Sequence, residues 1–238
     1  ADQMTGYGLN NTLNYAGSAL GVVVDLHNGN GVGSVMNSES YGDTFTDIQN
    51  IIGSTSNDLF YASSEANVFR GNGGVDTVSY VHSTSGVTVN LSATTINGLA
   101  GSTGLGGFAA GDTYSGISNV TGSNFNDTFI ARDVANAFDG GAGNNTVSYA
   151  ASSVGVTVNL SGTTVGSVAG GSGSGGYAAG DTYTNIQNVT GGAGNDIFIA
   201  SDVANIFDGG AGNNTVSYYA MTGNVSASLA SGTGGSGL

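Results

Sequence analysis

Large apolar residues recur at every ninth position over most of this chain. Ile51, Phe60, Phe69, Val78 and Val87 form one run. Val120, Phe129, Phe138, Val147 and Val156 form a second, and Val189, Phe198, Phe207, Val216 and Val225 a third. Leu13 and Val22 carry the grid back toward the N-terminus. Helix is a poor explanation, because 44 of the 238 residues are glycine and each costs about 1 kcal/mol relative to alanine inside a helix. Runs such as Gly86-Val87-Thr88-Val89-Asn90-Leu91 alternate with period two, as half-buried strands do. The beat predicts coils in which each nine-residue step is a turn plus a short strand. The apolar residue of each strand points inward, and successive coils stack those residues into a ladder.

A second period contains the first. Gly-Asp-Thr occurs at 42–44, 111–113 and 180–182, so a longer unit recurs at equal intervals (111 − 42 = 69; 180 − 111 = 69). Because 69 leaves a remainder of 6 when divided by nine, the register must reset once per unit. The Gly/Ser-rich stretches 97–111 and 166–180 lack the apolar beat and read as loops or irregular coils where the reset occurs. The chain divides into a partial repeat over 1–41, full repeats over 42–110 and 111–179, and a truncated repeat over 180–238, read as one elongated all-β solenoid.

The charge restricts what such a chain can touch. Sixteen acidic residues against two arginines and no lysine give a formal net charge of −14. Nucleic-acid binding requires a basic surface, so that class is excluded, and docking on anionic membranes is disfavoured for the same reason. No apolar run approaches the roughly 20 residues that span a bilayer. Disorder is disfavoured too, since 39% of residues are hydrophobic. A charge of one sign repels itself unless cations neutralise it.

The turns offer a place for such cations. Gly191-Gly192-Ala193-Gly194-Asn195-Asp196-Ile197-Phe198-Ile199 fits G-G-x-G-x-D-x-U-x, where U is a large apolar residue. Glycine permits left-handed backbone angles that aim carbonyl oxygens inward, and the sixth residue adds a carboxylate. Ca²⁺ takes six to eight such oxygens. Two turns one full coil apart, meaning two nonapeptide steps, would share each ion. The candidate pairs are Asp58 with Asp76, Asp127 with Asn145, and Asp196 with Asn214. The intervening turns carry Asn67, Asn136 and Asn205 instead. Asn and Asp in stacked turns can also bond their own backbone without any metal. Asp43, Asp112 and Asp181 read as outer ligands or ordinary turn residues.

With these nonapeptides the chain resembles the RTX, or haemolysin-type, calcium-binding repeat proteins of Gram-negative bacteria. Gly191–Ile199 matches their motif at every defined position, and 140–148 and 209–217 match except for Asn at the sixth. The phrases Asn188-Val189-Thr190-Gly191 and Thr146-Val147-Ser148-Tyr149 are similar to those in long repeat regions of secreted adhesins and surface-layer proteins. The resemblance implies a right-handed parallel β-roll, bound Ca²⁺, and a secreted or cell-surface location reached by type I export.

No catalytic constellation stands out. His27 and His82 lie at different positions of the repeat, there is no Cys or Lys, and no nucleophile, zinc-protease or phosphate-loop motif occurs. Tyr80, Tyr149 and Tyr218 recur in register and read as packing residues. The expected function is structural, not enzymatic. Copies would assemble head to tail into an extracellular filament, matrix fibre or surface layer, the strand near Val225 meeting the coil at Leu13 of the next copy. The alternatives are an extender or ligand-binding segment of a large adhesin, including an ice-binding one, and a repeat region beside a secreted catalytic domain. Cell-surface polysaccharide is a further expected partner.

Overall fold

The structure is a computed structural model that describes residues 1–28, 30–31, 39–228 and 233–235. It is nearly all β. Two single 3₁₀ turns, Gly107–Ala109 and Gly176–Ala178, are the helical elements among the described residues. The strands, mostly three residues long, fall into a 13-stranded sheet, a ten-stranded sheet and one separate pair.

The nine-residue beat is visible in how the strands are shared out. Leu59–Tyr61 belongs to the 13-stranded sheet, Val68–Arg70 to the ten-stranded sheet, and Asp76–Ser79 to the first again. Within one sheet, strands two steps apart therefore pair in parallel: Phe60 opposite Val78, Ile51 opposite Phe69, Phe129 opposite Val147 and Phe198 opposite Val216. The middle residue of each triplet points inward. Phe60, Phe69, Val78, Phe129 and Val147 are all fully buried. Rings from the two sheets stack across the core, with centroids 6.0 Å apart for Phe60–Phe69, 5.5 Å for Phe129–Phe138 and 5.4 Å for Phe198–Phe207. Burying each such ring contributes about 1.5–3 kcal/mol.

The Gly/Ser-rich stretches differ from the expectation of loops. Each contains a third strand, Thr103–Leu105 or Ser172–Ser174, lying antiparallel between two others. Thr103–Leu105 pairs with Thr88–Asn90 on one side and Thr113–Ser115 on the other. The central residue explains why no apolar beat marks it. A Cβ on Gly104 would collide with the Tyr114 hydroxyl and lie 2.5 Å from the Ala109 carbonyl oxygen, so only glycine passes there. Gly173 stands in the same relation to Tyr183 and Ala178.

This hairpin also performs the register reset. It keeps the chain in one sheet for three strands, so the alternation slips. Thr113–Ser115 lies in the ten-stranded sheet, whereas its counterparts Thr44–Thr46 and Thr182–Thr184 lie in the 13-stranded one. Successive long units thus exchange faces.

Candidate functional site

The sixth-position residues are gathered at the turns between the sheets, paired as their spacing requires. The backbone N–H of Asp58 donates to Asp76 Oδ1, that of Asp127 to Asn145 Oδ1, and that of Asp196 to Asn214 Oδ1, each at 2.9 Å. The side chains thus link one turn to the next through backbone donors.

The first member of each pair has both oxygens occupied. Asp58 Oδ1 accepts the Val22 N–H and the Ser54 hydroxyl, both at 2.8 Å, and Oδ2 accepts the Ser54 N–H at 2.7 Å. Asp127 repeats this with Val87 and Ser123. Asp196 accepts the Val156 N–H at 2.8 Å and the Gly192 N–H at 2.9 Å. Burial holds the Asp58 and Asp127 carboxyls above their ordinary range, and these bonds offset only part of that rise. A carboxylate ringed by N–H groups sits among positive dipole ends, which is an anion's surroundings and a poor fit for a cation.

The second members differ from one another. Asn145 turns its amide NH₂ to two carbonyl oxygens, Ala142 at 3.2 Å and Asn185 at 3.0 Å. Asn11 does the same with Gly8 and Asp47, and Asn214 with Ala211. Asp76 occupies the matching position with an oxygen where the others carry NH₂. Its Oδ2 is fully buried and has no hydrogen-bond partner. The turn is otherwise the same: the Gly71 N–H bonds Ser115 O at 2.8 Å as the Gly140 N–H bonds Thr184 O at 2.9 Å. Burial, then the nearby Asp58 charge, push the Asp76 carboxyl up to about 6 against the pull of the Asp58 N–H. Of the six predicted ligands, Asp76 alone holds an acceptor oxygen facing no donor. Among the described residues, no three His, Asp or Glu side chains converge as a ready-made metal cage.

Sequence reasoning missed a second set of acids. Asp112 and Asp181 close turns, their N–H groups donating to the carbonyls of Ala109 and Ala178 at 3.1 and 3.2 Å, but both residues are fully buried. Tyr80 donates its hydroxyl to Asp112 Oδ2 at 2.7 Å and lies 2.5 Å from the Tyr114 hydroxyl. Tyr149, Asp181 and Tyr183 repeat the arrangement. The other carboxylate oxygen accepts the N–H of Asn67 or Asn136. Burial raises both carboxyls to about 7 despite these bonds. Tyr15 and Asp43 form a reduced version, with Phe45 in place of the second tyrosine. The long period shared by Tyr80/Tyr149 and Asp112/Asp181 was the available signal. It could not reveal that the two rows meet.

Neither a protein-family model nor a curated protein matches this chain.

Proposed function

We propose that this chain is a secreted structural repeat protein of the haemolysin-type class. In this reading its two sheets are the walls of one right-handed parallel solenoid, and copies join end to end into an extracellular filament, fibre or layer. One observation carries the joining. Val216, in the last strand of the 13-stranded sheet, is 39% exposed, whereas its equivalents Val78 and Val147 are fully buried. Ile206 and Val203, just before the last strand of the ten-stranded sheet, are 71% and 59% exposed. At the far ends of the same sheets, Gln3–Thr5 and Thr12–Asn14 are the terminal strands and, among the described residues, pair with no strand on their outer side. Open parallel edges with apolar residues behind them are templates for another chain, and a contact between unlike ends does not close, so it propagates. The expected junction therefore shifts from Val225 to Val216. Leu229, at the end of the segment expected to meet Leu13, lies outside the described residues.

Calcium enters this reading at the Asp76 turn. The carbonyls that receive the Asn145 amide belong to Ala142 and Asn185, and their equivalents one long repeat earlier are Gly73 and Gly116. A carboxylate oxygen among carbonyl oxygens is calcium's preferred company.

Electron microscopy and sedimentation of the purified chain, with Ca²⁺ and with EGTA, test the assembly. Fibres or concentration-dependent polymers are expected, and Val216→Asp should stop them. Monodisperse monomers at high concentration in millimolar Ca²⁺ would sink the reading.

The adhesin-segment reading keeps one observation of its own. Thr77, Thr121, Thr182 and Thr184 line a shallow groove of about 140 Å³ on the outer face of the 13-stranded sheet. A row of hydroxyls there suits a polysaccharide or ice surface, and thermal-hysteresis and glycan-binding assays on the same preparation address it.

A further inference from the structure

In a repeat protein, residues that break the repeat are the ones a uniform scaffold does not require. Four such breaks meet at one place. Asp25 stands where the later units have Asn90 and Asn159, each the last residue of an equivalent strand. His27 stands where they have Ser92 and Ser161, and His82 where the next unit has Ala151. The two histidines, 55 positions apart, are the only ones in the chain. Their rings stack with centroids 4.8 Å apart and planes 19° from parallel. Asp25 Oδ2 lies 3.8 Å from His82 Nε2. Tyr61, where the later units have Ile130 and Ile199, packs against His82 at 5.7 Å.

We propose that Asp25, His27 and His82 form a binding site for one divalent transition-metal ion of the zinc type. The donor set is the one such ions select, two imidazoles and a carboxylate, with water as the fourth ligand. In a tetrahedral zinc site with bonds of about 2.0–2.1 Å, two ligand atoms lie about 3.4 Å apart, so the 3.8 Å between Asp25 and His82 has to close by about 0.4 Å on binding. The carboxylate is pre-oriented. Asp25 is only 4% exposed, and its Oδ1 accepts the N–H groups of His27 at 2.9 Å and Asn28 at 3.0 Å. Asn28 Nδ2 donates to Oδ2 at 2.5 Å. Such outer partners fix a ligand's direction. The His82 side chain is 34% exposed and His27 is exposed, so an ion reaches them from solvent. The rings lie face to face, so the three groups do not form a finished cage, and binding requires His27 to turn edge-on about its side-chain bonds. The net charge of −14 raises the local concentration of any divalent cation. This site is independent of the turn carboxylates and of end-to-end assembly.

Isothermal titration of the full chain with Zn²⁺, in buffer already containing millimolar Ca²⁺, tests it, with Co²⁺ absorption as a spectroscopic readout of coordination. One saturable site per chain is expected, with visible Co²⁺ bands typical of nitrogen ligation. His82→Ala and His27→Ala should each weaken binding at least tenfold while far-UV circular dichroism is unchanged. No saturable binding, or binding that survives the double substitution His27→Ala/His82→Ala, overturns the proposal.

Discussion

At the scale of single residues, the turns are governed by which way a side-chain amide or carboxyl faces. Asn11, Asn145 and Asn214 point NH₂ at carbonyl oxygens, whereas Asp76 puts a buried oxygen there with no donor. An unsatisfied buried acceptor costs about 1–3 kcal/mol. Asp76→Asn should therefore stabilise the calcium-free protein by that order and remove the stabilisation that calcium gives. Urea melts with Ca²⁺ and with EGTA measure both. A calcium-induced shift that persists in the variant would rule out Asp76 as the ligand. The glycines before these turns are equally constrained. A Cβ on Gly53 would collide with Asp58 Oδ2 and meet Gly71 O and Phe60 Cζ at 2.8 Å. Gly53→Ala should cost several kcal/mol, in line with overpacked, over-determined sites. Gly17→Ala, where nothing lies within 4 Å, should stay within about 0.5 kcal/mol. Thermal melts of the two variants make the comparison.

At the scale of elements, the short strands were legible because each spends one large apolar residue on the core. Phe60, Phe129 and Phe198 announce their strands by size and spacing, and the structure pairs them at the two-step offset the beat implies. The added strands Thr103–Leu105 and Ser172–Ser174 were not legible, because the position that faces the core is a glycine packed under a tyrosine hydroxyl. The side chain that fills that space belongs to the neighbouring strand, so no local pattern marks the spot. The Tyr–Asp–Tyr clusters escaped for a related reason. Gly-Asp-Thr reads as a turn phrase, yet the hairpin turns its Asp toward the core. Gly104→Val tests the element. It should unseat Tyr114 and open the hairpin, raising amide exchange across 88–115 while the Ile197–Ile199 pairing stays protected. Uniform exchange across the chain would mean the hairpin is not a separable unit.

At the scale of the whole molecule, the buried acids and the net charge act in the same direction with pH. Asp112 and Asp181 have folded-state values of about 7 against 3.8 for the free side chain, and Asp76 about 6. Between these limits the folded chain binds more protons than the unfolded chain, so protons favour folding. Their contribution is complete below about pH 3.8, declines as pH rises through 6 and 7, and is gone above about 8. The mutual repulsion of the −14 charge also grows with pH as carboxylates ionise. The protein should therefore melt higher at pH 5 than at pH 8. Salt separates the two causes. At 1 M the screening length is about 3 Å, which removes surface repulsion but leaves the buried Tyr–Asp–Tyr clusters untouched. The pH slope that remains at 1 M NaCl should flatten in Asp112→Asn/Asp181→Asn, because an amide takes up no proton in this range. Calorimetric melts at pH 5, 6, 7 and 8 in low and high salt give the slopes. A high-salt slope identical in the double variant would assign the remaining pH response to the turn carboxyls of Asp58, Asp76 and Asp127, and would deny the two clusters any part in it.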